Sequence, residues 1–457
     1  MSDIRHKLFG TDGVRGVANV EPITSETALR LGRALACVFR NAAGRHRRIL
    51  IGKDTRLSGY MLETAMESGI CSMGVDVWLV GPLPTPGIAF LTRSMRADAG
   101  VVISASHNPF EHNGIKFFSR DGFKLDDQTE LEIEELVFDE GKLSHLRAGA
   151  GEIGKAARID DAIGRYLVFL KGCVPRTVAL DGLKLVIDCA NGAAYKVGPD
   201  ALEELGAEVV RIGAEPDGRN INAGCGALSP SYMAETVKRT GAAAGFALDG
   251  DGDRVVMADE RGELMDGDDL MAILGLKLAA EGRLNSNTVV ASVMSNFGLE
   301  RALGSAGVRV VRTEVGDPAV AREMRSNGYN LGGEQSGHII LTDYSTTGDG
   351  LITALLVLAH MVETGRPLSA LRAMRRVPQV LENVLVRERI PFASMPGVEH
   401  LIATVEKRLS GSGRLLVRYS GTEMMARVMI EGEDAAEIGA LAREIGAAIR
   451  KHAGREA

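Results

Sequence analysis

The sequence predicts an α/β protein: three similar mixed-sheet α/β domains and a smaller α+β C-terminal domain around a central cleft. Three observations lead there. An apolar strand-like run, a helical stretch, a second strand, another helical stretch and a third strand ending in a polar loop recur three times along the chain. The 457 residues exceed one ordinary core, since a domain takes about 150 residues. Composition agrees, because 55 glycines against 14 prolines and one tryptophan, with 45% hydrophobic residues, suit strands and helices joined by tight glycine turns.

The strands can be taken in order. In the first unit they run over 49–54, 75–80 and 101–104, the last ending at Ser104-Ala-Ser-His-Asn108. In the second they run over 185–188, 208–212 and 245–248, ending at Asp249-Gly-Asp-Gly-Asp253. The third has 289–292, 308–311 and 329–331, ending at Gly332-Gly-Glu-Gln-Ser-Gly-His338. Parallel α/β sheets place ligands beyond the carboxyl ends of their strands, so these three loops are expected in one shared cleft. The C-terminal part differs, with strands over 380–386, 415–418 and 426–430. Its closing amphipathic helix spans 434–452 and carries Ile438, Leu441, Ile445 and Ile449 on one face. Domain boundaries are placed at 1–155, 156–257, 258–371 and 372–457, guided by glycine-containing and charged stretches.

A formal charge of −7 argues against a nucleic-acid partner, which needs a basic face to displace counterions. Cys37, Cys71, Cys173, Cys189 and Cys225 are odd in number and contain no C-x-x-C pair. They read as reduced core thiols rather than a disulfide framework or a zinc site. The first ten residues lack an apolar signal region, and the longest apolar stretch, 351–362, is too short to span a bilayer. A cytoplasmic protein without a membrane partner is expected.

Ser106 is the candidate nucleophile or phosphate carrier, because an apolar strand delivers it into a polar turn. A serine that merely stops the strand and caps the turn is the plain alternative. Asp249, Asp251 and Asp253 stand at every second position, so an extended backbone would aim all three carboxylates to one side, and hard oxygen donors of this kind suit Mg²⁺. Arg254 stands sixth in this loop, where a calcium loop requires glycine. A solvated acidic turn and an aspartyl-phosphatase nucleophile are further alternatives. Arg418, Ser420, Gly421 and Thr422 offer a guanidinium, hydroxyls and exposed amides, the chemistry of a phosphate cradle, and Arg427 can add a second fork. Glu334, Gln335 and Ser336 suit sugar hydroxyls or an amino group, with His338 closing the loop. Lys116, ten residues after Ser106, either returns to this site or stays on the surface.

These residues resemble the phosphoglucosamine mutases of the α-D-phosphohexomutase superfamily. The resemblance rests on Phe9-Gly-Thr-Asp-Gly-Val-Arg-Gly16, Ser104-Ala-Ser-His-Asn-Pro109, Asp249-Gly-Asp-Gly-Asp-Arg254, Gly332-Gly-Glu-Gln-Ser-Gly-His338 and Arg418-Tyr-Ser-Gly-Thr-Glu423. It runs in order over essentially the whole chain. Gln335, where glucose and mannose mutases usually carry Met, leans toward glucosamine.

The resemblance implies interconversion of glucosamine 6-phosphate and glucosamine 1-phosphate, on the route to UDP-N-acetylglucosamine and peptidoglycan. It further implies one Mg²⁺ per subunit and glucosamine 1,6-bisphosphate as intermediate and activator. Ser106 would be the phosphoserine, binding metal with the three aspartates. Lys116, Arg254, Arg15 and His338 would complete the catalytic set. Glu334, Gln335 and Ser336 would hold the sugar, while Arg418, Ser420, Gly421, Thr422 and Arg427 would grip the non-reacting phosphate. The oligomeric state stays open, a homodimer being one candidate. Phosphomannomutase or phosphoglucomutase, a silent sugar-phosphate sensor and a metal-dependent phosphatase are the competing functions. Four positions depart from the pattern: Pro318-Ala319 stands where Arg-Tyr is usual, Met424 replaces a common Pro, and His112 a common Asp.

Overall fold

The computed structural model describes residues 8–10, 12–39, 47–420 and 423–454. The chain forms two compact units, Met1–Met294 with Val310–Ala373, and Ser295–Arg309 with Met374–Ala457.

The first unit carries three sheets. A six-stranded sheet runs in the spatial order Val14–Val17, His112–Ser119, Ala99–Ile103, Arg48–Lys53, Asp76–Pro82 and Ala156–Arg158. A five-stranded sheet follows as Leu264–Met265, Val255–Asp259, Ala244–Leu248, Lys184–Asp188 and Glu208–Ile212, and a four-stranded one as Arg309–Thr313, Thr288–Ser292, Leu331–Gly333 and Ile339–Leu341. The strands Ala99–Ile103, Ala244–Leu248 and Thr288–Ser292 are buried at every residue. Strands covered on both faces read as continuous apolar runs, which is why their positions are evident in the sequence. The α/β expectation holds.

Each of the three third strands, however, is followed by an antiparallel partner that the repeat does not announce. His112–Ser119 returns beside Ala99–Ile103, Val255–Asp259 beside Ala244–Leu248, and Ile339–Leu341 beside Leu331–Gly333. The polar loops therefore sit in chain reversals, and the strands after them deliver more of the site. The helix Gly350–Thr364 is apolar nearly all round and buried, and its N-terminus is capped by the Asp349 carboxylate accepting from Ile352 N at 3.0 Å. Among the described residues no helix is long and apolar enough to cross a membrane.

In the second unit, Gln379–Leu385 and Arg414–Tyr419 flank Met425–Glu431, all antiparallel. The closing helix, Ala435–Ala453, buries Ile438, Leu441, Ile445 and Ile449 as its spacing predicts. Fully burying an isoleucine is worth about 2 kcal/mol, so this stripe docks the helix firmly. The helix Phe297–Gly304 joins this unit through Asn296, whose amide donates to Val377 O and Glu431 Oε1, each at 3.0 Å.

Candidate active site

Beyond strand Ala99–Ile103 the chain enters a strained turn. Ser106 has φ +52°, a left-handed conformation that costs a side-chain-bearing residue on the order of 1–2 kcal/mol. Its surroundings over-determine it. The buried Arg56 guanidinium donates to Ser106 O at 2.9 Å and Asn108 O at 2.8 Å, and Asn222 donates to the same two oxygens at 2.9 and 3.0 Å. Asp54 fixes Arg56 at 2.8 Å, and Ser104 Oγ accepts from Ser106 N at 2.9 Å. The turn thus aims the Ser106 hydroxyl at Asp249 Oδ2, to which it donates at 2.6 Å.

The aspartate loop is a tight reversal between Ala244–Leu248 and Val255–Asp259, and this corrects the expected extended geometry. Gly252, at φ +70°, donates to Asp249 O at 3.0 Å, so a turn rather than strand alternation converges the carboxylates. All three are buried, with one oxygen of each within 4.8 Å of the others. A Cβ on Gly250 would lie 2.6 Å from Ser106 O, so glycine there lets the aspartate loop touch the serine turn.

Crowding three carboxylates out of water is costly. Burial and then the charges of Asp253 and Asp251 push the Asp249 carboxyl well above the ordinary range. For Asp253 burial acts in the same upward direction, but His338, Lys116 and Arg254 outweigh it and hold the carboxyl below its usual value. Asp251 Oδ1 and Asp253 Oδ1 are buried without a hydrogen-bond partner. Unpartnered buried oxygens beside like charges fit a hard divalent cation, which would satisfy both.

Lys116 does return to this site. Strand His112–Ser119 buries it at 1% exposure, with Nζ 3.0 Å from both Asp251 Oδ2 and Asp12 Oδ2. Burial alone would lower its pKa, but Asp12 and then Asp251 raise it, so the side chain is an ammonium. Thr85 also donates to Asp251 Oδ2 at 2.7 Å. Arg254 lies beside the aspartates, its Nε 3.8 Å from Asp253 Oδ1. Arg15 pairs with Asp12. His338 is buried, with Nδ1 3.4 Å from Asp253 Oδ2 and Nε2 accepting from Gly348 N at 3.2 Å. A cavity of about 440 Å³ borders Asp12 and Lys116, room enough for a hexose phosphate.

Glu334 uses its carboxylate to accept from Gly316 N at 3.0 Å, while Gln335 is half-buried and Ser336 exposed. Arg418 and Arg427 face each other across strands of the second unit, and Arg427 donates to Glu423 at 2.7 Å. Burial and then Arg427 lower the Arg418 pKa. Ser420 Oγ accepts from Glu423 N at 3.2 Å. Gly421 and Thr422 lie outside the described residues.

Arg56, Thr85, His107 and Asn222 were not singled out from the sequence. His107 is held neutral, its pKa driven to about 4 by burial and then by Arg254 and Arg15. Its Nδ1 sits 3.2 Å from Ser106 Oγ. Arg56 carries the one available signal, since it directly follows the first strand in Lys53-Asp-Thr-Arg56. Pro318, a departure from the pattern, stands in the first turn of helix Asp317–Asn327, where proline's fixed φ is favourable.

Four phosphoglucomutase/phosphomannomutase family models match in order: domain I over residues 6–144, domain II over 165–262, domain III over 266–377 and the C-terminal domain over 381–448. A curated phosphoglucosamine mutase of Syntrophotalea carbinolica is 60% identical over 452 residues, covering 99% of both chains. One from an Anaeromyxobacter species is 61% identical over 455 residues, covering 99% of this chain and 97% of its own. Among solved structures, a phosphoglucomutase/phosphomannomutase family protein of Burkholderia thailandensis superposes with TM-score 0.81 at 24% identity over 98% of each chain. N-acetylphosphoglucosamine mutase of Aspergillus fumigatus, in complex with GlcNAc-6P and magnesium, gives TM-score 0.65 at 17% identity, covering 97% of this chain and 95% of its own. With end-to-end relatives near 60% identity and all four domain models in sequence, the chain belongs to the phosphoglucomutase/phosphomannomutase family.

Proposed function

We propose that this protein is a phosphoglucosamine mutase, exchanging glucosamine 6-phosphate and glucosamine 1-phosphate through phosphoserine 106 and a bound 1,6-bisphosphate. The observation that carries the chemistry is the Ser106 hydroxyl 2.6 Å from Asp249, at a buried trio of carboxylates that Lys116 joins. Substrate identity comes from the relatives named phosphoglucosamine mutase and from Gln335.

In the first half-reaction the sugar O1 attacks the phosphoserine phosphorus as the seryl P–O bond breaks. Lys116 holds a proton at Nζ that can pass to Ser106 Oγ, and it regains one from the sugar hydroxyl, so no net proton leaves. Asp249, Asp251 and Asp253, with a phosphoserine oxygen, would hold Mg²⁺, which supplies charge neutralisation on the transferring phosphoryl group. Arg254 and Arg15 add positive charge around the same oxygens. After the bisphosphate turns round, Ser106 Oγ attacks its 6-phosphate phosphorus as the sugar O6–P bond breaks, Lys116 gives a proton to O6 and regains one from the serine hydroxyl, and glucosamine 1-phosphate leaves. Glu334, Gln335 and Ser336 orient the sugar in both directions, while Arg418, Ser420, Gly421, Thr422 and Arg427 hold the idle phosphate. His338 is 2% exposed, which supports a role in orienting Asp253 rather than in touching sugar. The four-domain division stays with this reading: phosphoserine, metal, sugar and phosphate functions in chain order. A cytoplasmic location also belongs to it.

The test is turnover of glucosamine 6-phosphate beside glucose 6-phosphate and mannose 6-phosphate, with Mg²⁺ and a little 1,6-bisphosphate, while free phosphate is followed. The expected result is a strong preference for glucosamine without phosphate release. Preference for another hexose would move the protein to a sister activity. Stoichiometric phosphate release would make it a phosphatase, and binding without turnover a sensor.

A further inference from the structure

Seven charged or titratable side chains form a closed circuit in the first unit. Lys116 Nζ lies 3.0 Å from Asp251 Oδ2 and 3.0 Å from Asp12 Oδ2. The other Asp12 oxygen, Oδ1, accepts from Lys124, whose ammonium also grips Asp317. Asp317 Oδ2 stands 3.9 Å from His338 Nε2, and His338 Nδ1 stands 3.4 Å from Asp253 Oδ2, back on the aspartate loop. From Lys116 through Asp12 and Lys124 to Asp317 the signs alternate, and every side chain of the ring is at most 22% exposed.

Three members of this ring, Asp12, Lys124 and Asp317, carry no part of the chemistry proposed above. We infer that Lys124 and Asp317 are positioning residues that fix the Lys116 ammonium on Asp251, acting through Asp12. The inference rests on the reading of Lys116 as the proton-handling residue of the mutase.

The geometry gives the reason. Asp12 is shared by three cations, with Arg15 and Lys116 on Oδ2 and Lys124 on Oδ1. Lys124 occupies the oxygen that would otherwise be free to draw Arg15 further round and release Lys116. Asp317 then cancels the charge of Lys124, so the clamp adds no net charge beside the aspartates. The backbone is built for this placement. After strand His112–Ser119 the chain reverses through Gly122 at φ +78°, Leu125 N donates to Phe117 O at 3.3 Å, and Lys124 comes back beside Phe118. Thr346 Oγ1 donates to Gly122 O and pins that turn. Asp317 comes from the first turn of helix Asp317–Asn327, on the opposite side of the clamp. An exposed ion pair contributes little, but these pairs work largely out of water, where a misplaced ammonium is not rescued by solvent.

The experiment compares Lys124→Met, Asp317→Asn, the double variant and Lys124→Arg. Each single variant is expected to lower kcat on the order of tenfold, the scale of a small misplacement near the chemistry, with KM within about twofold. The double variant should be no slower than the worse single one, because both break one clamp. Lys124→Arg should recover most of the loss. Unchanged kcat, single losses that multiply in the double variant, or a KM rise alone would overturn the inference.

A second readout needs no substrate, so a failed mutase reading would leave it standing. In enzyme carrying ¹⁵N-lysine, the Lys116 ammonium signal, assigned by its loss in Lys116→Met, should shift or broaden in Asp317→Asn. An unmoved signal would overturn the coupling even if kcat fell.

Discussion

At the residue scale the serine turn carries the sharpest expectation. Ser106→Ala removes the phosphate carrier, so turnover should fall by orders of magnitude, whereas the turn is held mainly by Arg56 and Asn222 on backbone oxygens. Melting temperature should therefore change little, and near-normal turnover of a folded variant would sink the mechanism. Asp251→Ala should lose activity together with its response to Mg²⁺, read both by assay and by the metal's effect on the melting temperature. A variant still stabilised and stimulated by Mg²⁺ would move the metal elsewhere. Ser106 and the aspartate trio were legible in the sequence because each follows a strongly apolar strand, whereas Lys116, inside strand His112–Ser119, stood open between site and surface. Arg56 and Asn222 were not, because their work is hydrogen bonding to backbone oxygens 50 and 116 residues away, and residue type alone does not encode a distant acceptor. Asp12 stands within the motif Phe9–Gly16, yet its link to Lys116 emerges only when strands Val14–Val17 and His112–Ser119 pair.

At the element scale two turns set the geometry. Gly250→Ala would drive a methyl to within 2.6 Å of Ser106 O, a backbone atom that Arg56 and Asn222 prevent from yielding. The aspartate loop must then move off the serine turn, and kcat should drop by about ten- to a hundredfold. A variant with wild-type kcat would show that the contact between the loops is not critical. The helix Gly350–Thr364 gives a pH test through its cap. Burial raises the Asp349 carboxyl to about 6, against accepted hydrogen bonds from Tyr166 and the helix amides that lower it. A folded pKa above the unfolded value means full stability below pH 4 and a loss on rising through pH 6, on the order of 3 kcal/mol for two units. Asp349→Asn keeps the cap acceptor but cannot ionise. Its stability relative to wild type should therefore climb by about that amount between pH 4 and 7, followed by denaturant melts. A flat difference would show that Asp349 does not titrate as its burial implies. The sequence marked the strands before these turns but not the antiparallel strands after them, such as Val255–Asp259 and Ile339–Leu341. Segments of five and three residues following polar loops offer too short a pattern to register.

At the scale of the whole molecule, the repeat of three units was legible because all three obey the same alternation of apolar strand runs and helices. The division into two compact units was not, because the chain enters the second unit at Ser295, leaves it at Arg309 and re-enters at Met374. Nothing in residues 295–309 signals that excursion beyond an Asn before a helix. Its physical anchor is Glu431, fully buried on strand Met425–Glu431. Glu431 accepts from Arg414 at 2.6 and 2.9 Å, from Asn296 at 3.0 Å and from Phe297 N at 3.3 Å. Glu431→Ala would take the carboxylate from a largely buried guanidinium and an acceptor from Asn296 and Phe297 N, a loss of about 3–5 kcal/mol for a broken buried pair. In a small unit that corresponds to a melting temperature lower by on the order of 10 °C or more. Because Ser106, the aspartates and Lys116 all belong to the other unit, calorimetry should show one transition displaced downward and a second unmoved. Below the displaced transition, Ser106 should still be phosphorylated by the 1,6-bisphosphate. If a single transition moved as a whole, the two units would share one cooperative fold, and damage at Glu431 would reach the serine through global stability.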